Sequence, residues 1–324
     1  MPKNKKRKIT FPHMGNYSIA IEEIAKMLDS EVVVPPPITK KTLDLGSKHS
    51  PEFVCVPFKY NLGNFIESLD GGADVVIQAG GGCRFGYYGE VQKEILKDLG
   101  YNFDFYNLSE FKNFLSFYPS FKKINPKLNV YKFLKHSLVA YLKMNAMDSL
   151  DDYIRKNIGF EINAGEFEKN QKLFLADLKK ADTVLSVLLN KRKYRKIFKA
   201  IKIKKPKNLL KVGVVGELYV VMEPFSNYFT EKQLADKGIE VHRFITASYL
   251  LFGKKKHHKK ELLEWAKPHL KYHIGADGTD SVAIANKLRK ESFDGIIHLK
   301  PFGCIPEVNA MSALQRLSKE KNSL

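Results

Sequence analysis

Cysteine is scarce. The 324 residues carry three, Cys55, Cys83 and Cys304, and no two are close neighbours in sequence. That excludes the cysteine pairs, two to four residues apart, on which structural zinc sites draw. Long hydrophobic runs are missing as well. No stretch of eighteen apolar residues occurs, so a membrane-spanning helix is excluded. The basic start MPKNKKRK is followed by strand-like residues, not by the apolar stretch of a signal peptide. The chain therefore reads as cytoplasmic with no membrane partner, where thiols stay reduced and are free for metals or catalysis. Phosphate-binding fingerprints are lacking too. VGVVGE (212–217) is not GxGxxG and no Walker loop occurs, so this chain is not expected to use ATP itself.

Acidic residues are the other shortage: 35 Asp and Glu face 54 Lys and Arg, a formal net charge of +19. The excess sits mainly at 3–8, 191–207 and 254–260. Such charge attracts polyanions, either nucleic acid or coenzyme phosphates. The plainer reading is solvated surface, because these lysines fall in expected loops and linkers. No RNA-binding aromatic motif or zinc finger accompanies them, so nucleic acid is not an expected partner.

What is present, with 44% hydrophobic residues to fill a core, is an alternation of strands and helices. Residues 8–11 (KITF), 31–34, 53–56 (FVCV), 74–78 (DVVIQ) and 102–106 read as strands. Residues 16–28, 40–45, 62–69 and 87–99 read as helices, and Tyr87 and Tyr88 are read as core. From 109 to about 207 the apolar spacing turns helical, as in Leu173, Leu175, Leu178, Val184 and Leu188. A second α/β unit follows, with strands at 211–215, 238–244 and 294–299. Its helices are expected at 227–237, about 255–265, 280–289 and 307–317. The expected fold class is α/β: two doubly wound parallel-sheet (Rossmann-like) domains, 1–108 and 209–324, with a helical insertion at 109–208. The second domain reads as lacking its last strand.

Each cysteine is expected just beyond a strand: Cys55 at the end of FVCV, Cys83 after DVVIQ through AGGG, Cys304 after GIIHL through KPFG. Ligands gather beyond the carboxyl ends of strands in open parallel sheets. Converging thiolates suit iron–sulfur clusters, zinc or copper(I); the alternative is three small buried hydrophobes. Gly81 and Gly82 let backbone come close to a bulky inorganic group. His13, after the first strand, is a candidate fourth ligand or proton donor, or a helix cap. Lys59 and Arg84 are candidates to offset cluster charge or hold a coenzyme phosphate, with surface or intradomain pairing as the plainer role. Glu217 is a candidate acid or base, with a helix-end hydrogen bond as the plainer role. His298 reads as structural.

The segments ITFPHMGNY (9–17), PPPITKKTLDLG (35–46), SPEFVCVPFKYNLGNFIE (50–67), GGGCRFGYYGEVQKEILKDLGY (80–101), KVGVVGELYV (211–220) and IIHLKPFGCIPE (296–307) resemble the 2-hydroxyacyl-CoA dehydratase component family. The likeness is to its branch related to acyl-CoA dehydratase activases, with double-cubane cluster proteins as relatives. The resemblance implies that Cys55, Cys83 and Cys304 bind a [4Fe–4S] cluster between two α/β domains, leaving one iron to a non-cysteine ligand. It also implies a homologous subunit or homodimer, and a separate ATP-hydrolysing activator that carries its own iron–sulfur cluster. An acyl-CoA substrate and lyase or ATP-dependent reductase chemistry under anaerobic conditions are implied as well. A non-catalytic, cluster-carrying electron-transfer or activase-associated role is the alternative.

Overall fold

The computed structural model describes residues 6–78, 83–107, 117–249, 256–291 and 293–320, with backbone alone at 85 and 256–259. Contacts divide the chain into two compact units, Met1–Tyr141 and Leu142–Leu324, and each is built on a parallel sheet.

In the first unit β1 (Lys8–Thr10), α1 (Ser18–Met27) and β2 (Glu31–Val32) lead into α2 (Lys40–His49) and α3 (Val56–Asp70). Then come β3 (Val75–Gln78), α4 (Phe85–Asp98), β4 (Asp104–Asn107) and α5 (Phe117–Ile124). The parallel strands lie in the order β2-β1-β3-β4, with Ile9 opposite Val75 and Val76 opposite Phe105. The order reverses between β1 and β3, and an open sheet leaves a crevice beyond the carboxyl ends at such a point. Phe58, Leu62, Phe65, Ile66 and Leu69 form the buried stripe of α3 and pack with Val76 and Leu96. Helices α2 and α3 cross in backbone contact. A methyl group at Gly46 would strike the Lys59 carbonyl, and one at Gly63 the Thr42 carbonyl.

One expected strand is not a strand. Residues 51–55 form a turn and coil, and Val56 opens α3 with Pro57 in its first turn. FVCV is a short apolar run, which periodicity alone cannot assign to strand or helix start. Proline in the first helical turn leaves no amide unsatisfied, which favours the helix. Cys55 therefore precedes a helix instead of ending a strand.

The division between the units falls within α6 (Val130–Arg155). The stretch expected as a separate insertion is shared out accordingly. Phe121, Ile124, Leu128 and Phe133 pack on Ile9, Met27, Leu28 and Val75 of the first unit. The helices α7 (Glu166–Lys180) and α8 (Val184–Ala200) belong to the second. Residues 109–116, where the helical spacing begins, lie outside the described residues.

The second unit continues with β5 (Lys211–Gly216), α9 (Leu218–Met222), α10 (Thr230–Asp236) and β6 (Glu240–Arg243). It ends with α11 (Lys256–Ala266), α12 (Gly278–Lys290), β7 (Gly295–Leu299) and α13 (Ile305–Lys319). The parallel order is β6-β5-β7, so this sheet reverses between β5 and β7. Val215, Ala283, Ile284, Leu288 and Phe293 form the core on one face, and Val214, Val221, Val241 and Ile245 a second cluster. Helix α9 was not expected from the sequence; at five residues it is too short to display a period.

Candidate functional site

Each reversal point is flanked by residues singled out in the sequence. In the first unit His13 follows β1, and Cys83 follows β3 after residues 79–82, which include Gly81 and Gly82 and lie outside the described residues. In the second unit Glu217 follows β5 and Cys304 follows β7. The two units thus carry the same plan: a titratable residue after one strand, a cysteine after its neighbour.

All three cysteines stand at helix starts. Cys55 is the N-cap residue of α3, and its carbonyl accepts from the Phe58 N–H at 3.0 Å. Cys304 is the N-cap residue of α13, and its carbonyl accepts from the Val308 N–H at 3.0 Å. Cys83 lies two residues before α4, where its carbonyl accepts from the Gly86 N–H at 3.2 Å. Two of these starts repeat one pattern, Cys55-Val56-Pro57 and Cys304-Ile305-Pro306, with proline in the first turn. A helix start presents free N–H groups and the positive end of the helix dipole, a setting that favours anions, thiolates among them. Cys83 is exposed; Cys55 and Cys304 are half-buried.

Cys55 is tied to α4. Tyr88 Oη lies 3.2 Å from Cys55 Sγ and 3.4 Å from the Cys55 amide, whose N–H it accepts. The amide proton occupies an Oη lone pair, so the hydroxyl proton is available to the sulfur. Burial, then the contact with Cys55, push the Tyr88 hydroxyl above the ordinary tyrosine range, so it stays protonated. Its ring meets Phe58 edge-on at 4.8 Å, and Gln92 Nε2 donates to the Phe58 carbonyl at 3.1 Å. The tyrosine pair is split: Tyr88 is buried as expected, whereas Tyr87 is 77% exposed. Helical spacing sends neighbours to different faces.

His13 donates its backbone N–H to Asn64 Oδ1 of α3 at 2.9 Å, and Asn64 Nδ2 donates to the Pro36 carbonyl at 3.0 Å. One buried asparagine thereby fixes the segments that follow β1 and β2. Lys59 lies in the first turns of α3, half-buried, and Arg84 is the exposed N-cap residue of α4.

Glu217 makes the helix-end hydrogen bond: Oε2 accepts from the Val220 N–H at 2.9 Å. Asp277 Oδ2 accepts from the neighbouring Leu218 N–H at 3.2 Å. Burial of the Glu217 carboxyl, with added repulsion from Asp277 and Glu307, pushes it up to about 8 against the pull of the Val220 and Tyr219 amides. Glu307, in the first turn of α13 after Cys304, is fully buried between two partners. Its Oε2 pairs with His298 Nε2 at 2.7 Å and its Oε1 with Ser281 Oγ at 3.2 Å. His298, half-buried in β7, is thus held by a carboxylate of its own unit. Glu307 falls in the segment IIHLKPFGCIPE but was not singled out in the sequence, and its partners come from β7 and α12.

Among the described residues no three His, Cys, Asp or Glu side chains are grouped to hold a metal ion. Two of the three thiols belong to the first unit and one to the second. Among the described residues no helix is long and apolar enough to cross a membrane. No family model matches the chain. No curated protein matches it.

Proposed function

We propose that this chain is an iron–sulfur protein resembling a 2-hydroxyacyl-CoA dehydratase subunit, built from two Rossmann-like units. Cys55, Cys83 and Cys304 act as thiolate ligands of a [4Fe–4S]-type cluster, with one iron left to a non-cysteine ligand. The observation that carries the reading is the shared placement of all three thiols at helix starts, two of them with the Cys-x-Pro pattern. Soft donors beside free backbone N–H groups suit a sulfide-rich anionic group better than a hard cation.

Bound by these thiolates, the group supplies low-potential one-electron transfer. The chain's own residues hold and tune it. Tyr88 fixes the Cys55 sulfur. Lys59 and Arg84, at the starts of α3 and α4, offset negative charge. Glu217 holds a proton at neutral pH and can exchange it, which suits loss of a hydroxyl group from an acyl-CoA. The electron comes from a separate ATP-hydrolysing activator with its own cluster, and a homologous subunit or second copy completes the enzyme.

The rival is a closed electron carrier in which His13 is the fourth ligand. Spectra of the reduced, anaerobic protein with and without a 2-hydroxyacyl-CoA separate the two. A substrate-dependent change that persists in His13→Ala supports the enzyme. No response to acyl-CoA, with a clear change on His13→Ala, supports the carrier.

A further inference from the structure

We infer that the exposed face of α8 is a docking surface for an anionic phospholipid bilayer. The inference rests on no cofactor and is independent of the cysteines.

Between Lys179 and Lys207 the chain has twelve Lys or Arg residues and one carboxylate, Asp182. Helix α8 contributes six of these cations and no carboxylate. Helices α7 and α8 form an antiparallel hairpin, with Phe167 stacked on Phe198 at 6.0 Å and Phe174 against Tyr194 at 5.4 Å. Val187, Tyr194 and Phe198 make the buried seam of α8. Two cations are engaged by neighbouring side chains: Lys191 Nζ donates to Asn145 Oδ1 at 2.8 Å, and exposed Lys193 pairs with Asp177 at 2.9 Å.

The outward stripe is different. Leu185, Leu188, Leu189, Arg192, Arg195, Lys196 and Lys199 are all exposed. At 100° per residue they fall within an arc of about 120°, away from the seam. The three leucines are 65%, 46% and 55% exposed, at the end of α8 next to the hairpin turn. Burying them anywhere gains apolar area, and the cations beside them restrict the partner to something anionic.

The aliphatic character decides which anion. Single-stranded nucleic acid is bound through stacking on aromatic side chains, and both aromatics of α8 are in the seam. Exposed leucines beside Lys and Arg can enter a headgroup layer while the cations meet the lipid phosphates. A second copy paired through this same stripe would set cation against cation. Peripheral docking needs no membrane-spanning helix, and none occurs among the described residues.

The test is sedimentation of the full chain with phosphatidylcholine vesicles with and without phosphatidylserine. Binding should appear only with the anionic lipid and fall as salt is raised. Arg192→Gln and Lys196→Gln should each weaken it about fivefold, the worth of one cation near such a surface. Leu185→Gln should weaken it too, with the melting temperature unchanged. Equal binding to both vesicle types, or binding to neither, overturns the inference. So does binding to a single-stranded RNA homopolymer that displaces the vesicles and is indifferent to Leu185→Gln.

Discussion

Tyr88 Oη stands 3.2 Å from Cys55 Sγ while accepting the Cys55 amide proton, so one hydroxyl on α4 holds both the backbone and the sulfur of the residue that starts α3. Two helices that flank one strand are thereby joined at the cysteine. Tyr88→Phe keeps the ring packing on Phe58 and removes the hydroxyl. It should cost about 1 kcal/mol in urea unfolding, the usual worth of such a bond. In the cluster-loaded protein it should move the reduction potential to a more negative value, because a hydrogen bond to a ligand sulfur favours the reduced state. An unchanged potential would mean that the hydroxyl is not directed at the sulfur.

Replacing any one of Cys55, Cys83 or Cys304 by Ala should remove most of the bound iron and sulfide, since each supplies one of few thiolates. A variant that retains wild-type iron identifies that cysteine as a bystander.

Glu217 sets a pH dependence. Its carboxyl is raised from 4.5 in the unfolded chain to about 8 in the fold, so the folded state holds the proton more tightly. Its contribution to stability is fully present below about 4.5, declines as pH rises, and levels off above about 8. The slope is up to roughly 1 kcal/mol per pH unit in that window. Glu217→Gln should remove this part of the slope and make the protein relatively more stable toward pH 8. Denaturant unfolding of both proteins across the window reads it directly; parallel profiles would contradict the assignment.

Gly63→Ala should destabilise the first unit by about 1–3 kcal/mol, because the added methyl meets the Thr42 carbonyl where α2 and α3 cross. A thermal melt checks it. An unchanged melting temperature would show that the crossing is looser than described.

The alternation of β1, α1, β2, β3, α4 and β4 was legible because each is short, strongly patterned and bounded by turn residues. The same holds for β5, β6, β7 and α12. The run around Cys55 was not, because four apolar residues fit a strand as well as a helix start, and Pro57 is informative only once the helix is known. The sharing of the helical middle between units was hidden for a different reason. Which sheet Phe121 and Phe133 pack on is decided by long-range contacts that leave no local period. The cysteines themselves were evident by their rarity, yet Tyr88 and Glu307 were not. A tyrosine near a cysteine and a glutamate three residues beyond another gain meaning only from the helices that aim them.

Binding of an iron–sulfur cluster by the three thiols is read most directly by metal and acid-labile sulfide analysis of protein purified and reconstituted without oxygen. Such protein should be brown and hold iron and sulfide in equal amounts, both lost when Cys55, Cys83 or Cys304 is replaced. Protein that holds only zinc, or no metal, after the same treatment would contradict it.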